Sequence, residues 1–404
     1  MSELTLAQGP QRLLSLDAHR GFIMAALISN LFAIPLLAAA FGEGTWWGGF
    51  LAYEGEHVPW AGCAVWDLIQ PSFMFIVGVA LPFSYRARKN RGDSEARIFT
   101  HVVKRIVLLL LIGLVLRSAG RPYTYFTFED VVQQIALGYL FLYLMIGRGP
   151  KVQGAVAAAV LVGYYLLFAL WPLPPADFNA AAAGLPPHWQ QFTGYAAHWN
   201  LGANPAGHFD QWFLNLFPRG DGPWTFHRGG YVTLSFIPAF VTMLFGLMAG
   251  ELMQQERPIR EKAARLAGWG LAGVAFGFAV DGHLWPFLDW TWSIAPVVKR
   301  IWTPSWTLYS AGWVLLTLAL FVYVVDIKGY RRWTFPFVVL GANSIAIYVM
   351  HETVQSWFAD RLNAHFQLTA HLGEAGFGLA QLGGILLLWY AGYWMYKHRV
   401  FIRI

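Results

Sequence analysis

Long apolar stretches, separated by shorter polar ones, follow one another along the whole chain. A helix needs about 20 apolar residues to cross a bilayer. Ten stretches meet that need: roughly Gly21 to Phe41, Ala61 to Phe83, Val102 to Ala119, Val131 to Gly147, Val152 to Trp171, Tyr231 to Leu252, Leu266 to Leu284, Trp306 to Val325, Phe335 to Val354 and Gly376 to Tyr396. The pattern predicts an all-α polytopic membrane protein with about ten transmembrane helices. It is read as a single domain over 1–404 with a long extracytoplasmic loop over about 172–230. Composition sharpens the picture. The chain is 57% hydrophobic and only 12% charged, about half the roughly 25% charge of a soluble domain. A soluble enzyme core could not hide that much apolar surface, and so aromatic a chain is not disordered. The single cysteine, Cys63, excludes an internal disulfide and any multi-cysteine zinc or iron–sulfur site.

An even number of spans puts both termini on one side, and basic residues decide which. With both termini cytoplasmic, 21 of the 28 Lys and Arg fall inside and 7 outside. The outer seven are Arg117, Arg121, Arg219, Arg228, Lys299, Arg300 and Arg361. The outer segments 42–60 and 172–230 are rich in Gly and Trp, the second also in Pro, His and Asn. Such loops suit a polar, sugar-like ligand, although most of the 20 Trp are expected to form an aromatic belt at the membrane interface.

Polar side chains inside spans are costly and usually face a cavity or a partner. Here they gather in the N-terminal third and the ninth stretch: Asp17, Arg20 and Asn30; Asp67 and Gln70; Arg105, Arg117, Glu129, Asp130, Gln133 and Gln134; then Asn343, Ser344, His351 and Glu352. The clustering suggests one functional cavity. Asp17 and Arg20, three apart, share a helix face and read equally well as a structural ion pair. His57 stands in Glu54-Gly-Glu-His-Val-Pro-Trp60, just before the second stretch. Imidazole titrates near neutrality, yet by position alone a histidine at a helix entrance is more often a surface or capping residue. His188, His198 and His208 recur every ten residues, a spacing that matches no helix face, and no metal is expected there. Neither a P-loop nor a dinucleotide fingerprint is present, and no nucleic-acid partner is expected. The run Arg86, Arg88, Lys89 and Arg91 reads as a topology determinant facing anionic lipid.

Several blocks resemble the heparan-α-glucosaminide N-acetyltransferase family. They are Arg12-Leu-Leu-Ser-Leu-Asp-Ala-His-Arg-Gly21, His57-Val-Pro-Trp-Ala-Gly62, Trp66-Asp67-Leu-Ile-Gln-Pro-Ser-Phe-Met-Phe-Ile-Val-Gly78 and Asp130-Val-Val-Gln-Gln-Ile-Ala-Leu-Gly-Tyr139. Ile237-Pro238 with Gly246-Leu-Met-Ala-Gly250, Trp302 to Trp313, and Leu340-Gly-Ala-Asn-Ser-Ile-Ala-Ile-Tyr348 continue the likeness in order. The family commonly has Gln-Arg where this chain has Gln133-Gln134.

The resemblance implies a transmembrane acyltransferase-type fold and an enzyme that moves an acetyl group from cytosolic acetyl-CoA to an amine or hydroxyl of an extracytoplasmic amino sugar or glycan. It implies His57 as the catalytic residue and Asn30 as its companion. Arg20, Arg105, Gln134, Asn343 and Ser344 are expected to bind the donor, while Asp17, Asp67, His351 and Glu352 hold substrate or structure. Acetyl-CoA is the donor substrate, no metal is needed, and the resemblance points toward a homodimer. The compact chain is expected in a bacterial inner membrane. A polytopic transporter or flippase of a polar glycan precursor is the competing reading, but it predicts an internal repeat that the sequence does not show.

Overall fold

A computed structural model describes residues 13–31, 34, 42, 44–173, 192–284 and 293–402. Among them, regular structure is helical, apart from two isolated β-bridges. In chain order the α-helices are α1 (Leu14–Ile28), α2 (Trp46–Gly55), α3 (Ile69–Asn90), α4 (Glu95–Ser118), α5 (Val131–Leu144), α6 (Pro150–Ala169), α7 (Pro205–Phe213) and α8 (Phe236–Gln254). They continue with α9 (Ile259–Val280), α10 (Pro304–Phe321), α11 (Phe335–Ala342), α12 (Ser344–Met350), α13 (Ser356–Phe366), α14 (Leu368–Leu372) and α15 (Glu374–Lys397). Local signals set several starts. Ser94 accepts from Arg97 N at 3.3 Å, Asp130 from Val132 N at 3.0 Å and Asn204 from Gly207 N at 3.0 Å. Each satisfies a donor that the first helical turn leaves open.

Seven helices among the described residues are long and apolar enough to cross a membrane, or up to eight if one bent pair counts as a single span. The chain is therefore an integral, polytopic, all-helical membrane protein. Three of the ten expected stretches differ in detail. The first enters its helix early, at Leu14, and α1 stops at Ile28, while most of that stretch beyond Leu31 lies outside the described residues. Asn30 and Leu31 then take φ of 45° and 50°, a left-handed conformation no helix continues through. The fourth forms only the 14 residues of α5, about 21 Å at 1.5 Å per residue, short of a hydrocarbon core about 30 Å thick. The ninth breaks at Asn343, where Arg332–Ala342 and Ser344–Phe366 meet at a 72° bend.

The contacts sort the chain into two compact units. One comprises Met1–Ile28, Arg257–Ala267 and Leu316–Arg403. In it α1 packs on α11, and α15 packs on α11, α13 and α14. The amide of Asn343 donates to Val400 O at 3.0 Å and accepts from Ile402 N at 2.9 Å, which ties the helix break to the last described turn of the chain.

The other unit comprises Ser29–Glu256, Gly268–Leu315 and Ile404. Its principal seam is α3 against α8. Gly78 lies against the backbone of Met243 and Leu247, and Gly246 against the carbonyl of Phe75, so a Cβ at either position would collide with main chain. Helices in lipid gain association energy from such close backbone approach. A second core joins the end of α6 to segments outside the long helices. Trp60, Trp199, Phe168, Tyr164 and Ile301 pack together, with Trp60 Nε1 donating to Trp199 O at 3.1 Å and Tyr164 Oη to Ile301 O at 2.9 Å. These tryptophans, with Trp302 and Trp306, are fully buried. They are core anchors and depart from the interfacial belt expected of most Trp.

Candidate functional site

The segment between α2 and α3 carries His57, and one carboxylate shapes it. Asp67 lies in a short 3₁₀ turn at the entrance to α3. Its Oδ2 accepts from Val58 N at 3.3 Å and Ala64 N at 3.1 Å, which closes the loop that starts at His57. Its Oδ1 meets His57 Nδ1 at 2.7 Å. Asp67's side chain is 1% exposed and that of His57 39% exposed. A buried carboxylate is tolerated only when paired and fully hydrogen-bonded, and this one is both.

A third group completes the cluster. Lys299 Nζ stands 3.1 Å from Asp67 Oδ1 and 3.1 Å from His57 Nδ1, with its side chain 4% exposed. The segment that delivers Lys299 is paired to the His57 loop. Gly62 N donates to Val297 O at 2.9 Å, and Ala61 bridges Val298 in antiparallel fashion. Arg300 adds a clamp: its guanidinium donates to Val58 O at 3.2 Å and to Gly229 O and lies 5.2 Å over the Tyr231 ring.

The electrostatics follow from donor and acceptor counts. Asp67 can only accept and Lys299 can only donate. At 2.7 Å from an acceptor-only carboxylate, a neutral His57 gives its Nδ1 proton to Asp67, Lys299 donates to the same carboxylate, and no hydrogen bond to Nε2 occurs among the described residues. Burial lowers the His57 pKa from its ordinary 6.5; the hydrogen bond to Asp67 raises it, and the charges of Lys299 and Arg300 lower it. The net direction is down, so the imidazole is an uncharged base at neutral pH.

A second histidine–aspartate pair lies in the same unit. His283 Nδ1 meets Asp281 Oδ1 at 2.7 Å, with side chains 16% and 0% exposed. Asp281 Oδ2 accepts from Val297 N at 2.6 Å. The backbone of the Lys299 segment is thus held from one side by Asp281 and from the other by the His57 loop.

The other expected residues are distributed as follows. Asn30 is exposed, just past the end of α1, and no hydrogen bond joins it to His57 among the described residues. Arg105 lies 4.6 Å over the Tyr139 ring and donates to its hydroxyl at 3.3 Å. Gln134 is buried and committed within the protein. It donates to Phe128 O at 2.7 Å and Thr233 O at 3.1 Å, and accepts from Ser235 Oγ at 2.9 Å. Asp17, Arg20, Asn343, Ser344, His351 and Glu352 belong to the other unit. There Asn343 is committed to the C-terminal segment, Ser344 Oγ donates to Gly341 O at 3.0 Å and His351 pairs with Gln355 at 2.7 Å. Asp17 and Arg20 are half-buried on α1, and Glu352 is exposed. His188 lies outside the described residues. No group of three potential metal ligands occurs among the described residues.

The sequence singles out His57 and Asp67, whereas Lys299 and Arg300 stand there only as outer charges. One signal was available: Lys299 is the sole lysine among the seven outer basic residues.

No family model matches the chain. It is similar to the human (Homo sapiens) heparan-alpha-glucosaminide N-acetyltransferase, 23% identical over 388 residues, which cover 86% of this chain and 54% of that protein. The mouse (Mus musculus) protein of the same name is 23% identical over 405 residues, 88% of this chain and 55% of the relative. The chain spans about half the length of these curated relatives. The family resemblance read from the motifs is thus also a resemblance over most of the chain.

Proposed function

We propose that the protein is a transmembrane acetyltransferase that moves an acetyl group from cytosolic acetyl-CoA to an amine or hydroxyl of an extracytoplasmic amino sugar or glycan. The observation that carries this reading is a half-exposed His57 whose Nδ1 is fixed on a wholly buried Asp67 at 2.7 Å, with Nε2 free to take a proton. Nε2 removes the proton from the acceptor amine or hydroxyl. The acceptor attacks the thioester carbonyl, and the tetrahedral intermediate collapses with expulsion of the CoA thiolate, which takes the proton back from Nε2. General-base assistance of this kind is worth about 10²–10⁴ in rate.

Asp67 holds the tautomer and the ring orientation, as the buried carboxylate of a catalytic triad does. Lys299 balances the charge of Asp67, so the imidazole is not driven to imidazolium before the acceptor arrives. Asn30 is the proposed donor to the oxyanion. Arg105 is the proposed contact for donor phosphate, with a guanidinium Nε that has no partner among the described residues. Gln134 and Asn343 drop out of that role because their amides are spent on internal bonds. The bias of basic residues supports an orientation with both termini in the cytoplasm and the His57 loop outside. A bacterial inner membrane, with acetyl-CoA on one face and the envelope on the other, fits that arrangement.

The test is acetyl-CoA consumption by purified protein in proteoliposomes with glucosamine-type acceptors, wild type against His57→Ala. Turnover that disappears in a folded variant supports the reading. Turnover that persists moves the base elsewhere. A wild type that neither turns over nor binds CoA sinks the acetyltransferase reading in favour of a transporter.

A further inference from the structure

A shallow cleft, open to solvent, lies between α7 and the segment that follows it to Val232. Its floor is apolar: Trp224 is buried, and Phe226 and Tyr231 are partly so. Its rim is polar: His208 and Gln211 are exposed, on successive turns of one face of α7. His227 closes one side. Its Nδ1 accepts from Gly229 N at 2.9 Å, and burial pushes its pKa down to about 4, so this wall is uncharged at neutral pH. An apolar floor under a ring of amide and imidazole groups is complementary to a pyranose, whose C–H face is apolar and whose hydroxyls radiate from its edge. Small-molecule sites share this plan: mostly apolar walls with a few placed polar groups.

The cleft is tied to the base. Tyr231, one wall, lies under the Arg300 guanidinium at 5.2 Å. The same guanidinium holds Gly229 O and also Val58 O, the carbonyl of the residue after His57. A single side chain therefore connects the cleft wall to the loop that carries the imidazole.

We infer that this cleft is the acceptor subsite, and that it takes the neutral polyhydroxylated ring of an amino sugar and presents its amine or hydroxyl toward His57 Nε2. The inference rests on the acetyltransferase reading for the second half of that statement only, because ring binding stands by itself.

The experiment uses the full-length protein in detergent and the β-1,4-linked disaccharide of glucosamine. Binding is titrated calorimetrically without acetyl-CoA, and steady-state kinetics are run with it, for wild type, His208→Ala/Gln211→Ala and Phe226→Ala. The rim variant removes only exposed side chains, so folding is not at stake. The expected result is a rise of about five- to tenfold in Kd and in acceptor KM for the rim variant, the worth of one to two hydrogen bonds. Its kcat and its KM for acetyl-CoA stay within twofold of wild type. A disaccharide bound by wild type and lost in the variants, with no acetyl transfer, upholds the cleft while removing the transferase reading. Transfer in wild type with acceptor KM unmoved in both variants overturns the cleft and leaves the transferase reading standing. A wild type that does not bind the disaccharide overturns the cleft as well.

Discussion

Two histidine–aspartate pairs stand in one compact unit with the same 2.7 Å contact through Nδ1, yet they are built for different work. His57 has 39% of its side chain exposed and His283 has 16%. Asp67 carries a lysine on the oxygen that meets the ring. Both aspartates spend their second oxygen on backbone: Asp67 on Val58 N and Ala64 N, Asp281 on Val297 N. The hydrogen bond between ring and carboxylate therefore does not mark a base by itself. What marks it is a more exposed ring and a cation that balances the carboxylate, while the less exposed pair serves as a clamp on the Val297 backbone.

The largest effect should separate the two histidines. His57→Gln is expected to lower turnover by about 10²–10⁴, the value of a lost general base. His283→Gln should leave turnover within a few-fold. Equal losses in the two variants, measured as acetyl-CoA consumption, would erase the distinction.

Next comes the clamp. Asp281→Ala removes the acceptor of Val297 N and leaves a buried donor open, which costs about 1–3 kcal/mol. Detergent-phase thermal unfolding should show the loss. Full stability in this variant would mean that the Lys299 segment is held without Asp281.

The comparison is sharpened by Lys299→Met. Lys299 and Arg300 lower the His57 pKa and Asp67 raises it. Of the other acids near the cluster, Glu54 bonds Val65 N at 2.7 Å and Glu56 neighbours His57 in sequence. Without the Lys299 cation the His57 pKa rises, so more of the imidazole is charged at neutral pH. The acidic limb of kcat/KM should move to higher pH, with activity regained on the alkaline side. A limb that does not move would reduce Lys299 to a packing role.

The smallest effect concerns Asp210, behind the cleft. Burial raises its pKa from 3.8 to about 7. Its folded form therefore binds a proton that the unfolded chain has released, and stability falls as pH rises from about 4 toward 7. Asp210→Asn keeps an acceptor for Thr233 N and should flatten that slope in unfolding measured across the same range. An unchanged slope would place the titration on another group.

Much of this was legible in the sequence, for reasons that explain the omissions. Apolar runs near 20 residues fix helices because lipid leaves the backbone no other partner, and seven of the ten stretches appear as expected. His57 stood out through its motif, and Asp67 as a carboxylate at a span entrance. Lys299 did not, because it is 242 positions from His57 and comes beside it through long-range pairing of the two segments, Ala61 with Val298 and Gly62 N with Val297 O. The break at Asn343 was hidden because apolar residues continue on both sides of it. Gln134 was read as a ligand because an intramembrane amide says nothing of whether its bonds are already made. The buried Trp60 and Trp199 were not told apart from the belt expected of most Trp, because tryptophan content cannot separate a belt from a core.

The seam between α3 and α8 has a consequence for how this sequence can vary. At Gly78 and Gly246 the neighbouring main chain occupies the space where a Cβ would stand, so even alanine requires two helices to move apart. Asp67 is rooted at the start of one of those helices. Libraries built to retarget the acceptor should therefore randomise the loop residues around the cleft freely and hold these two glycines fixed, since a change there would be scored as lost activity though no reacting group had been touched.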